Sequence, residues 1–66
     1  MGFKIKEHRQ MIGMSQEELA TKSGVSRSII SGLESGRVAI TSTKTIEKIA
    51  QALNKRVSDI FYSDNA

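Results

Sequence analysis

The 66-residue sequence has no cysteine, no proline and no tryptophan, and its only aromatics are one tyrosine and two phenylalanines. Without cysteine there is no disulfide framework, and a single histidine without thiols leaves no set of structural zinc ligands. A chain this close to the lower size limit for independent folding then depends on its apolar side chains alone, and packed short helices bury them most simply. The missing proline and the few aromatics, beside abundant Ile, Leu, Ala, Glu, Lys and Gln, favour helix over strand. No apolar run approaches the roughly 20 residues that span a bilayer, and no apolar block of signal-peptide type opens the chain. These absences lead us to expect one soluble, cytoplasmic domain over residues 1–66, with no cofactor, metal or membrane partner.

Charge of negative sign is also in deficit. Ten Lys and Arg face seven Asp and Glu, for a formal net charge of +3, and the pI is near 9.6. The excess favours an anionic partner. There is no internal repeat, linker or low-complexity segment, and the tail Ser63–Ala66 is expected to fray.

Helical spacing organises the rest. Ile5, Arg9 and Ile12 fall on one stripe between Phe3 and Ile12, with Gly13 as a stop, which predicts a first helix. Ser15 with Glu18 three residues on is a capping box that opens a second helix, ended by Gly24. Ser26 caps a third helix with Ile29, Ile30 and Leu33 on its apolar side and Gly36 past its end. Arg37 to Thr41 reads as loop. Ile46, Ile49, Ala50 and Leu53, at i, i+3, i+4 and i+7, mark a fourth helix capped by Ser42 and stopped at Asn54. A short fifth helix is expected from Ser58, with Ile60 and Phe61 to bury. Only Gly24-Val25-Ser26 separates the second and third helices. That connection is too short for antiparallel neighbours, so they should cross steeply with small Ala20 at the contact.

Counting from Gln16, a small residue comes fifth (Ala20), glycine ninth (Gly24), and apolar residues fourth, tenth, fifteenth and eighteenth (Leu19, Val25, Ile30, Leu33). Ala20 permits close helix contact, Gly24 takes the left-handed turn conformation, and the four apolar residues share a small core. On these residues SQEELATKSGVSRSIISGLESGR, followed by TIEKIAQAL and VSDIF, resembles the helix-turn-helix domain of phage repressors and Cro proteins, over about residues 3–62. The resemblance implies a compact all-α, five-helix, lambda-repressor-like fold with the helix-turn-helix at about 16–35. It also implies a third helix that enters the DNA major groove, a second helix whose N-terminus meets a phosphate, and two-fold dimers on palindromic operators.

Carried onto this sequence, the resemblance makes Arg27, Ser28, Ser31 and Gly32 the candidates for reading bases. Gly32 stands where the family often has a long polar side chain. Arg27 suits a bidentate pair with guanine or a phosphate contact equally. Gln16, with the positive end of the second helix, and Ser26, besides its capping role, are phosphate candidates. Arg37, Thr41, Ser42, Thr43 and Lys44 around the loop into the fourth helix offer donors for the same backbone. Arg9, on an inward stripe, needs a partner, and Glu34 is the expected one; members of this family join the two helices by such a pair. Ile60, Phe61 and Tyr62 are the candidate dimer seam, with Phe61 also fitted to the core. His8 has no partner at ligand or catalytic spacing.

The function expected is a sequence-specific double-stranded DNA-binding regulator, a repressor, acting as a homodimer on an inverted repeat. Chains of this size also resemble Cro-like phage proteins, repressors of mobile elements, restriction–modification controllers and antitoxins, the last with a protein partner. A protein-interaction module on the same fold is the alternative, kept open by the few base-reading side chains. No nucleophile, base and orienter recur at recognisable spacing, so an enzyme is not expected.

Overall fold

Among the described residues there are five helices, and three of them begin where a serine satisfies one of their first free N–H groups. In the computed structural model the chain is described over residues 2–38 and 41–62. It runs β1 (Gly2–Phe3), α1 (Ile5–Met11), α2 (Gln16–Ser23), α3 (Arg27–Ser35), α4 (Thr43–Ala52), α5 (Val57–Ile60) and β2 (Phe61–Tyr62). Ser15 Oγ accepts from the Glu18 N–H at 3.0 Å and the Ser15 N–H donates to Glu18 Oε1 at 3.1 Å, closing the capping box of α2. Ser26 and Ser42 accept from Ile29 N–H and Thr45 N–H, at 3.3 and 3.1 Å. Between α2 and α3, Gly24 takes φ +74°, and a Cβ there would meet nothing within 4 Å. Its glycine is therefore required by conformation, not by space. Ser23 Oγ accepts from the Val25 N–H at 3.1 Å, which gives the serine at the end of α2 a role in the turn.

The fold is all-α, with one β pairing of two residues per strand among the described residues. Gly2 faces Tyr62 and Phe3 faces Phe61 in antiparallel register, and the Phe3 and Phe61 rings lie 5.3 Å apart, tilted by 59°. Phe3 is thus strand, not the start of α1. Its pairing partner lies at the far end of the chain, where a local pattern carries no information about it. At α5 the helix begins at Val57, one residue before the expected Ser58, and the Arg56 N–H donates to Asp59 Oδ2 at 3.1 Å.

Each helix contributes one fully buried apolar side chain to the centre: Ile5, Leu19, Ile30, Ile49 and Ile60, all 0% exposed. Val25, Leu33, Ala50, Ala52 and Leu53 complete the core, with Phe3, Met14, Ala20, Ile29, Val38 and Val57 packed on its margin. Two expectations change. Ile60 has no surface left for a dimer seam, because the Lys4 N–H donates to the Ile60 carbonyl and draws α5 against the start of α1. Ile12 is 55% exposed, because α1 ends at Met11 and Gly13 turns the chain at φ +68°. Half-buried His8 also joins α1 to α5, with Nε2–H donating to the Asp59 carbonyl at 3.2 Å. The expected loop Arg37–Thr41 falls partly, and the tail Ser63–Ala66 wholly, outside the described residues.

Candidate nucleic-acid interface

The inner end of α3 is held by charge. Arg9 Nε–H donates to Glu34 Oε2 at 2.9 Å and a terminal N–H donates to Glu34 Oε1 at 3.0 Å, a bidentate pair. The other terminal nitrogen donates to the Met14 carbonyl at 2.8 Å. Gln16 adds its amide, Nε2–H donating to Glu34 Oε1 at 3.1 Å. The two charged side chains keep only 11% and 5% of their surface, and at that depth a lone charge is costly. Burial by itself would push the Glu34 carboxyl up, but the hydrogen bonds from Arg9 and then Gln16 outweigh it and hold it below its ordinary value. The Arg9 guanidinium is raised, first by its hydrogen bond to Glu34. α1, α2 and α3 are thereby locked at one point.

The outer side of α3 differs. Arg27, Ser28 and Ser31 line one open cleft with Gln16 from the start of α2 and Arg37 from the loop after α3. Both arginines are exposed, and among the described residues neither guanidinium has a carboxylate partner. Two cations, two hydroxyls and one amide form a donor-rich concavity that suits an anionic, oxygen-rich ligand. Ser26 lies one residue before Arg27, exposed, with its hydroxyl engaged at the cap. Thr41, Ser42, Thr43 and Lys44 lie outside the lining of this cleft, at the start of α4, where Ser42 Oγ also meets Thr45 Oγ1 at 2.9 Å.

Gly32 needs a correction. It is buried, and a Cβ added to it would lie 2.5 Å from Val38 Cγ2 and 3.3 Å from Val38 Cβ. The close approach that makes glycine necessary comes from the protein's own loop, and Gly32 has no face for a base. That explains why the helix tolerates a residue costing about 1 kcal/mol relative to alanine. Neither the Val38 contact nor the Gln16–Glu34 bond was visible in the sequence. Both join residues that no helical periodicity pairs.

A sequence profile described as helix-turn-helix matches residues 5–60, which takes in all five helices. The chain belongs to the helix-turn-helix family, of the lambda-repressor and Cro type. The helix-turn-helix chain is 43% identical over 65 residues to an uncharacterized HTH-type transcriptional regulator of Archaeoglobus fulgidus, covering 98% of this chain and 91% of the relative. It is 44% identical over 61 residues to one of Methanothermobacter thermautotrophicus, covering 91% and 87%. Against one of Methanocaldococcus jannaschii the identity is 40% over 66 residues, covering 98% of each. In this helix-turn-helix, the turn-linked pair is α2 and α3, and the cleft opens on the side of α3 away from Ile30 and Leu33. Among the described residues no helix is long and apolar enough to cross a membrane, and no group of His, Cys, Asp or Glu could hold a metal ion.

Proposed function

We propose that this helix-turn-helix protein is a sequence-specific transcriptional regulator that binds double-stranded DNA, with α3 in the major groove, and acts as a repressor. The observation that carries the reading is the pairing of two arginines, Arg27 and Arg37, on one cleft at the outer side of α3, neither with a carboxylate partner among the described residues. Arg27 at the first turn of α3 reads a base edge, with Ser28 next to it and Ser31 one turn along, while Gln16, Ser26, Arg37 and the donors at Thr41–Lys44 meet phosphates. The names of the archaeal relatives, all transcriptional regulators, support the same class of function.

The protein acts as a homodimer on an inverted repeat. The molecule extends 31 × 20 × 19 Å and carries one α3, so two copies are needed to reach major grooves one turn, about 34 Å, apart. Phe61 and Tyr62 of β2 supply the seam, without Ile60.

Selection of bound duplexes from a random library, followed by footprinting, tests this directly. The expected winner is a palindrome with half-sites about one helical turn apart, bound with affinity that falls steeply as salt rises. No enrichment at low salt would reject the DNA reading in favour of a protein-interaction module.

A further inference from the structure

Gly32 is the one helical glycine in α3, and it is not among the positive-φ glycines, so backbone conformation does not account for it. Space does. Val38 Cγ2 sits where the missing side chain would be, and an Arg37 terminal nitrogen lies 3.8 Å from the same point. The segment that returns from α3 is also tied to Gly32 by hydrogen bonds. The Val38 N–H donates to the Gly32 carbonyl at 3.0 Å. Ser35 Oγ–H donates to that carbonyl at 3.3 Å and accepts from the Arg37 N–H at 3.4 Å. Gly36, at φ +84°, reverses the chain so that this return is possible. Val38 is half-buried on the margin of the core, which anchors the start of the loop.

We propose that Gly32 is a positioning residue whose bare Cα lets Val38 lie flat on α3 and thereby holds the Arg37 guanidinium in the cleft beside Arg27. The role rests on the DNA reading above and deepens it. The two arginines reach the cleft from opposite ends of α3, Arg27 from its first residue and Arg37 from the loop beyond its last. Arg27 is carried by the helix itself, whereas Arg37 is carried by the loop, and its position depends on how closely that loop approaches. A methyl group at position 32 lifts Val38 and moves Arg37 out of reach of the phosphate it meets. The recognition helix is therefore plain at position 32 for the sake of a cation five residues later.

Salt dependence separates this role from a general effect on folding, because each lost phosphate contact lowers the slope of log affinity against log salt by about one. The slope is measured for the wild-type chain, Arg37→Ala, Gly32→Ala, Val38→Gly, and the two doubles with Arg37→Ala, on the duplex selected above, with folding checked by circular dichroism. Gly32→Ala and Val38→Gly attack the same contact from its two sides, so one still reports if the other does not fold. Arg37→Ala is expected to lower the slope by about one, each loop variant to lower it similarly, and the doubles to lie no lower than Arg37→Ala alone. If the wild-type chain binds and Arg37→Ala lowers the slope while the folded loop variants keep the wild-type value, the positioning role is overturned and the DNA reading stands. A slope unchanged in Arg37→Ala, or doubles that fall further than it, also overturns the role. If the wild-type chain binds no duplex, the DNA reading fails and the inference falls with it.

Discussion

Arg9 and Arg27 are the same side chain in two settings, and both act on α3. Arg9 is 9% exposed, bidentate on Glu34, with its remaining terminal nitrogen on the Met14 carbonyl. Arg27 stands in the open at the other end of the helix and, among the described residues, faces Arg37 and two serines without a carboxylate. The first guanidinium has spent its donors inside the molecule and serves as architecture. The second, among the described residues, has no carboxylate partner and lies on the open cleft, where the proposed contact with DNA would use it. What distinguishes the two is the number of unsatisfied donors and not the residue type, and Gln16 sits between them, donating to Glu34 while lining the cleft.

Removing one partner at a time separates the two arginines. Glu34→Ala leaves Arg9 buried without its counter-ion and should destabilise the fold by about 3 kcal/mol, lowering the melting temperature by more than about 10 °C in a chain of this size. An unchanged thermal melt would mean that the pair contributes nothing. The same pair has a pH signature. The Glu34 carboxyl lies below its ordinary value of 4.5 when folded, so the unfolded chain takes up its proton first on acidification. The contribution is complete above about pH 4.5 and is lost as pH falls through the lower, folded value. Urea titrations across this range should therefore show stability falling with acid in the wild-type protein and a flatter acid limb in Glu34→Gln.

Arg27→Ala should do the opposite. Binding to the selected duplex is expected to weaken by about 1–3 kcal/mol, with relaxed preference at one base pair if the contact is to guanine, while stability stays within about 0.5 kcal/mol of wild type. A melting temperature that falls with the affinity would erase the distinction between the two arginines. Ser15→Ala removes the hydroxyl that accepts from the Glu18 N–H and should cost about 1 kcal/mol in chemical denaturation, setting the scale for a local contact. Arg56, whose side chain is 85% exposed beside Asp59 at 3.5 Å, completes the series. Such solvated pairs contribute little, and Arg56→Ala should leave the melting curve unmoved. A clear loss there would show that exposure does not rank these arginines.

Much of this was readable from local pattern. The caps Ser15, Ser26 and Ser42 begin their helices because the groups they satisfy are three residues away. Leu19, Ile30, Leu33 and Ile49 are buried because helical spacing puts them on inward stripes. Arg9 on such a stripe announced its need for a carboxylate. Ile12 misled because it continues the spacing past Gly13, where the helix has already stopped. Phe3 misled because a two-residue strand has no period to read. Ile60 offers no dimer seam because the approach of α5 to the start of α1, which no local pattern reports, closes over it.

Position 32 shows the boundary most clearly. The sequence determined that a glycine stands inside the third helix, and it determined the five helices, their caps, the Gly24 turn and the two arginines, since all of these depend on neighbours within about one turn of chain. What the glycine is for depends on how the distant parts of the chain pack. Its requirement is set by Val38, laid over it by a loop that reverses at Gly36, and by the core that anchors that loop. A helix pattern reports which face a residue occupies. It does not report how near another segment comes to that face, because that distance is fixed by the packing of the whole chain.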